Sequence, residues 1–454
     1  MEKSAKCELN ACLFDFRRSG RAELPIPTIY NQFSQIALAV KLLPSLCFRG
    51  GLDLQAMPDF YQHDLITTIH DLRTGKLDRL ENMLREATPS SKIGLVLPVT
   101  ASDMRAEPFD TIVRELAQAD YVHTIAVTLG VAPDQADYDE TVQKIAPLGD
   151  RARVLWTDGP EIQGLYRELI DSGIPVDTPG KGRSVWTAFG YLLADPEIDT
   201  FVLHDCDIVD YDRFLLARLC LPMVHAGLDY EFCKAYYARV TDRMHGRVVR
   251  LLMAPLIRAL MQSFPESKFI RYLGNFRYPL SGEFSLTRNL ARSNRIPSDW
   301  GLEVGTLAEV YRNTSLKRVC QTDLCRLYEH KHQELSVDDK NRGLMKMAND
   351  ILTTIYRTLA SQGVSISDAQ FITLRASYQR IAQDCIRQYS ADAVVNDVEY
   401  DRHNEEVAIE AFAECVTSAA TVFREWPNGS ESIPNWTRVL AALPDFAHRL
   451  RDAT

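Results

Sequence analysis

None of the ten cysteines, at positions 7, 12, 47, 206, 220, 233, 320, 325, 385 and 415, forms a C-x-x-C pair. The closest spacings, 7/12 and 320/325, are not paired zinc knuckles, so a zinc framework is excluded and reduced, core-filling thiols are expected. Long apolar runs are missing as well. The most apolar early stretch, Phe33 to Phe48, is broken by Gln35, Lys41 and Pro44 and is too short and polar to span a bilayer. The opening MEKSAKCELN has no apolar signal core, so a cytoplasmic protein without membrane attachment is expected. Basic residues are in deficit: 51 Lys and Arg face 61 Asp and Glu, a net charge of −10, which argues against nucleic acid as a partner. There is no low-complexity segment, no internal repeat and no G-x-x-x-x-G-K-[ST] phosphate loop. What is present is a 454-residue chain, 46% apolar and 9% aromatic, enough for two or three well-packed folding units.

Three regions follow from the pattern. Residues 1–90 read as a mostly helical N-terminal extension, with Leu77, Leu80, Met83 and Leu84 on one helix face. Residues 91–338 alternate apolar strands with helices of about ten residues, the signature of a doubly wound, mostly parallel α/β sheet. The strands expected are Ile93 to Leu97, Tyr121 to Val127, Ala152 to Trp156 and Thr200 to Leu203, with helices at Phe109 to Leu116, Tyr138 to Ile145, Glu161 to Ser172 and Ser184 to Leu193. Residues 339–454 read as an all-helical C-terminal domain, with helices at Leu344 to Leu359, Asp368 to Tyr389, Val398 to Ala420 and Trp436 to Leu443. Asp392 to Glu414 holds eight carboxylates against one arginine and reads as a solvated helix face. Ligands of doubly wound sheets bind at the carboxyl ends of the strands, which is where chemistry is expected.

The sharpest signal is His204-Asp205-Cys206-Asp207, directly after the strand Phe201-Val202-Leu203. Two carboxylates flanking one residue at a strand end suit a divalent cation, Mg²⁺ or Mn²⁺, together with diphosphate oxygens. Without a ligand, the same residues are a polar strand exit. Upstream, Pro179-Gly180-Lys181-Gly182 opens a helix; its glycines suit close approach of phosphate, with Lys181 as a point charge, though the segment is also an ordinary turn. A basic patch follows: Lys234, Arg239, Arg243, Arg247 and Arg250. Either Arg239, Arg243 and Arg247 share a helix face, or Gly246 breaks the run and Arg247 starts the apolar helix Val248 to Met261. Both arrangements suit a small anion, and a solvated helix face is the plain alternative. Tyr278-Pro279-Leu280-Ser281-Gly282-Glu283 and Asp299-Trp300-Gly301-Leu302-Glu303 read as structured loops, with Glu303 at a helix start. His330-Lys331-His332 offers two imidazoles to a metal site or to the surface.

In sequence order these motifs are L-P after the first strand, G-K-G, D-x-D, K-x-Y-Y-x-R with G-R-V, P-L-S-G-E, W-G-L-E-V-G and H-K-H. The series resembles the retaining GT-A glycosyltransferases of the glucosyl-3-phosphoglycerate synthase and mannosylglycerate synthase type, over residues 92–335. The resemblance implies a GT-A-like fold and a set of roles. Pro98 lies beside the nucleotide base, Lys181 near the donor and Asp205 on its ribose side. Asp207 holds the metal with His330, or with His332 as the fallback. Gly246 and Arg247, with Arg243 near them, bind the acceptor's carboxylate or phosphate. Leu280 and Ser281 face the reacting sugar, and Glu303 is an active-site carboxylate. Two departures stand out. Val99-Thr100-Ala101-Ser102 stands where the family has acidic residues, and Val249 replaces a hydroxyl residue expected two positions after Arg247.

The expectation is a cytoplasmic, metal-dependent hexosyltransferase, dimeric in its simplest assembly. It would move glucose, or else mannose, from a nucleoside diphosphate sugar to 3-phosphoglycerate or glycerate with retention. Val249 leaves a different phosphorylated polyol as an alternative acceptor. A sugar-nucleotide nucleotidyltransferase is the alternative enzyme, although Pro98 to Met104 lacks the glycine and lysine that its loop needs. A non-catalytic nucleotide-sugar-binding protein is a third reading, and the joint presence of Asp205, Asp207 and Glu303 speaks against it.

Overall fold

The computed structural model describes residues 62, 65–72, 76–324, 335, 342–427 and 432–454. The chain divides into two units, residues 1–58 and 59–454, and the described residues belong to the second.

Eight strands form one sheet: β1 (Thr67–Ile69), β2 (Lys92–Thr100), β3 (Val122–Gly130), β4 (Ala152–Trp156), β5 (Ile198–Leu203), β6 (Phe232–Tyr236), β7 (Phe284–Thr287) and β8 (Val319–Asp323). Their order across the sheet is β1-β8-β6-β7-β5-β2-β3-β4. All neighbours pair in parallel except β7, which runs antiparallel to both β5 and β6. The sheet is therefore doubly wound and mostly parallel, as the alternation of strands and helices implies. The reason is visible in β2: Leu95 and Leu97 enter one core and Val96 the other, so the near-continuous apolar run is buried on both faces. The chain leaves β2 toward β3 and β4 on one side and returns through β5 on the other. That reversal opens a crevice at the carboxyl ends of β2 and β5.

The segment read as a helical extension also supplies β1, a three-residue strand paired with β8 by the register Thr67↔Cys320. Three residues are too few to show a period of two, and here pairing rather than patterning makes the strand. Its helix, Leu77–Ala87, lies where the spacing predicts. Val248 to Met261 is not one regular helix: Val248–Met253 is a π-turn, followed by the helix Ala254–Ser263.

The C-terminal helices Gly343–Ser361, Asp368–Asn396 and Arg402–Glu425 bury Ile351, Leu374 and Phe412 in the same core that takes Phe201 and Trp186 from the sheet layer. A tryptophan pair ties the last helices down. Trp436 stacks on Trp186 with 4.3 Å between ring centroids. Trp186 Nε1 donates to the Pro434 carbonyl (2.8 Å), and Trp436 Nε1 donates to the Trp186 carbonyl (2.9 Å). Trp186 belongs to the helix Lys181–Leu193, whose first residue reaches the crevice.

Candidate active site

The crevice is a cleft of about 930 Å³ lined from the ends of β2 and β3, from the loops that follow β4 and β5 and from the segment around Gly246. Of the residues singled out from sequence, Pro98, Lys181, Asp205, Asp207, Arg243, Gly246, Arg247, Leu280 and Glu303 all line it. Ser281 does not. It is fully buried, its hydroxyl donates to the Ala235 carbonyl (2.8 Å), and its own carbonyl accepts the Lys234 ammonium. Its hydroxyl therefore braces the backbone beneath Leu280, and the expectation that Ser281 faces the sugar finds no support in the cleft lining. His330 and His332, expected to complete a metal site, lie outside the described residues.

The carboxylate end is set by the exit from β5. His204 is fully buried, and its Nδ1 donates to the Asp205 carbonyl (2.9 Å), because a carbonyl can only accept. The Tyr211 hydroxyl then donates to Nε2 (3.1 Å). Burial pulls the imidazole down to about 4, so it stays neutral and holds the turn. The carboxylate of Asp205 rests where a side chain at Gly282 would begin, which explains why P-L-S-G-E needs its glycine. The same close packing accounts for G-K-G: Gly180 and Gly182 lie against the carbonyls of Ser298 and Pro297.

Lys181 Nζ sits 2.6 Å from Asp205 Oδ1 and 3.3 Å from Glu303 Oε1. Burial works against its charge, but the two carboxylates win, and its pKa lies above the usual lysine range. Asp207 moves the other way. Burial first, and then the neighbouring Asp205 charge, push its carboxyl up to about 7. Behind it lies a layer whose residues stand in the motifs read from sequence, Lys234 in the basic patch and Glu283 in P-L-S-G-E, but which is buried rather than exposed. Lys234 is lowered to about 8 by burial, opposed by Glu303 and Glu283, and Tyr237 donates to Glu283 Oε2 (2.8 Å).

Asp103 was missed. It lines the cleft just after β2, held by the Thr100 hydroxyl (2.7 Å), and its charge raises Asp207. Asp103 thus puts an acidic side chain in the cleft one position after the stretch Val99 to Ser102, which has none. Carboxylates crowded this way, with one ammonium beside them, fit a hard divalent cation with oxygen ligands. Among the described residues, no third imidazole or carboxylate converges with Asp205 and Asp207 at ligand distance.

At the other end, Arg239, Arg243 and Arg247 do not share a helix face. The segment turns through a bridge between Val240 and Met244, and Gly246 (φ +71°) breaks the run before Arg247. Arg243 is half-exposed and paired with Asp242 (3.2 Å) and Glu399 (2.9 Å). Arg247 Nε donates to Glu405 Oε1 (3.1 Å), while Arg250 donates to both oxygens of Glu405 (2.7 and 3.2 Å). Glu405 is only 4% exposed, so the acidic run read as a solvated face contains one deeply buried anion. Its partners lie more than 150 residues upstream, and no local signal marks it.

No protein-family model matches the chain. It is 43% identical over 394 residues to the glucosyl-3-phosphoglycerate synthase of Persephonella marina, covering 87% of this chain and 97% of that protein. It is 39% identical over 400 residues to the glucosyl-3-phosphoglycerate synthase of Methanococcoides burtonii, with the same two coverages, 87% and 97%. A crystal structure of glucosyl-3-phosphoglycerate synthase from Mycobacterium tuberculosis, in complex with Mg²⁺ and UDP, aligns at 24% identity and a TM-score of 0.48. It covers 67% of this chain and 89% of that one.

Proposed function

Because the chain belongs to the glucosyl-3-phosphoglycerate synthases, we propose that it transfers glucose from a nucleoside diphosphate glucose to 3-phosphoglycerate with retention of configuration, a step of compatible-solute synthesis. One observation carries the reading: the paired carboxylates Asp205 and Asp207 and the cation of Arg247 line a single cleft. A sugar diphosphate and a small anionic acceptor thus have complementary ends of one site.

In this reading Asp207 is the principal ligand of Mg²⁺ or Mn²⁺, with Asp205 beside it and His330 or His332 as the further candidate. The cation, when bound, offsets charge developing on the leaving diphosphate. Pro98 borders the base, and Lys181, anchored by Asp205 and Glu303, adds fixed positive charge on the donor side. Leu280 borders the sugar. Gly246 and Arg247 take the acceptor's carboxylate or phosphate, and Arg243 extends the positive rim. The acceptor hydroxyl oxygen attacks C1 of glucose, the bond from C1 to the diphosphate breaks, and the hydroxyl proton passes to the departing phosphate oxygen. Glu303 is tied to Lys181 and 5% exposed, so we assign it to orienting the sugar rather than to attack. Retention then follows from attack on the face that the diphosphate leaves.

The same reading carries a cytoplasmic location and a homodimer. No helix among the described residues is long and apolar enough to cross a membrane.

The direct test supplies the purified protein with nucleoside diphosphate glucose or mannose, Mg²⁺, and either 3-phosphoglycerate or glycerate. Released nucleoside diphosphate and the anomeric configuration of the product are read out. Glucose with 3-phosphoglycerate should react fastest and give the retained anomer. An inverted product, or no diphosphate release with any pair, would overturn the reading. Pyrophosphate release from a nucleoside triphosphate and a sugar phosphate would instead favour a nucleotidyltransferase.

A further inference from the structure

Glu405 is a glutamate in the first turn of a C-terminal helix, far from every motif that marks the cleft. It is nonetheless buried, and its carboxylate collects three hydrogen bonds from two arginines, Arg247 of the cleft lining and Arg250 behind it. A buried carboxylate is retained only where it is paired, and removing it would leave two guanidinium groups to rearrange. The two arginines are not equivalent. Arg250 is spent on structure: besides Glu405 it donates to the carbonyls of His245 (2.8 Å) and Met244 (3.3 Å), and it lies over the Tyr389 ring at 4.9 Å. Arg247 lines the cleft and gives Glu405 only its Nε. Among the described residues its two terminal nitrogens have no hydrogen-bond partner, and these form the edge of the fork that grips a carboxylate or phosphate. Two arginines and one glutamate leave a single net positive charge, presented by Arg247.

We infer that Glu405 is a positioning residue for the acceptor: it fixes Arg247 through Nε so that the free edge of the fork faces the cleft. The helix Arg402–Glu425 thereby takes part in choosing the acceptor, although it supplies no residue to the cleft lining. Arg250 is committed to holding Glu405 and is not a second acceptor ligand. The π-turn at Val248–Met253 brings both arginines to the same carboxylate, in keeping with the frequent use of such turns at functional sites.

The inference rests on the acceptor reading of Arg247, and the test separates the two. Steady-state kinetics are measured on the full chain for Glu405→Gln, Glu405→Asp and Arg247→Lys, varying donor and acceptor in turn. For Glu405→Gln, the acceptor KM should rise about tenfold. Its donor KM and its kcat at saturating acceptor should stay within about twofold, and the preference for 3-phosphoglycerate over glycerate should narrow. Glu405→Asp keeps the charge, is the variant to rely on if Gln does not fold, and should show the same split at a smaller size. A parallel change in kcat and both KM values, or an unchanged acceptor KM, would overturn the role of Glu405. An unchanged acceptor KM in Arg247→Lys would overturn the acceptor reading itself.

Discussion

The two ends of the cleft are built differently. The carboxylate end is made locally: β5 stops, His204 locks the turn, and Asp205 and Asp207 emerge within four residues. Lys181, at a helix start, pairs with Asp205 and ties in Glu303 from the start of another helix. The arginine end has no regular element of its own up to Gly246, and its geometry comes from Glu405 in the C-terminal helices. Local construction makes the first end a motif that can be read from sequence. The second end is held across the molecule, and its motif shows the cation without what orients it. The charge balance differs too. Asp207 is crowded by like charge, whereas Arg247 shares a carboxylate with a second arginine.

The contrast predicts different failures. The largest should come from Asp207→Ala, with kcat falling on the order of a thousandfold and the Mg²⁺ requirement of donor binding lost. Circular dichroism should remain native, and normal turnover with the metal chelated would contradict the reading. Next in size, Lys181→Met leaves Asp205 and Glu303 facing each other without their shared ammonium. Turnover at low donor should fall about a hundredfold, with the acceptor KM little changed, as donor-varied kinetics would reveal. Arg247→Lys keeps the charge but loses the planar fork. The acceptor KM should rise about ten- to a hundredfold, corresponding to roughly 1.5–3 kcal/mol, while the donor KM holds.

The smallest effect is one of pH. Asp207 must be ionised to hold a cation, and its carboxyl is raised to about 7. Divalent affinity should therefore be full above about pH 7 and weaken by about tenfold for each unit below it. Calorimetric titration of Mn²⁺ at pH 6, 7 and 8 would show this, and a flat profile across that range would contradict it.

The same contrast explains how much was readable. Strands β2 to β5 and the long C-terminal helices follow from runs and spacings that each segment carries by itself. β1 and β7, of three and four residues, are strands only because neighbours pair with them. In the site, Asp205, Asp207, Lys181 and Glu303 announce themselves through strand ends and helix starts. The role of Ser281 came with the family resemblance, and no sequence pattern shows that its hydroxyl is taken up by the Ala235 carbonyl. Lys234 and Glu283 carry charge into the core, which a sequence pattern reads as surface. Glu405 was hidden for the same reason, within a run whose other carboxylates disguise it.

The central claim is that one cleft has two ends that bind different molecules, and equilibrium binding tests it most directly. Isothermal titration of Asp207→Asn and Arg247→Lys is carried out separately with nucleoside diphosphate glucose plus Mg²⁺ and with 3-phosphoglycerate. The account predicts that Asp207→Asn loses donor affinity and keeps acceptor affinity within about threefold, and that Arg247→Lys does the reverse. Equal losses of both ligands in either variant, or donor loss in Arg247→Lys alone, would contradict it.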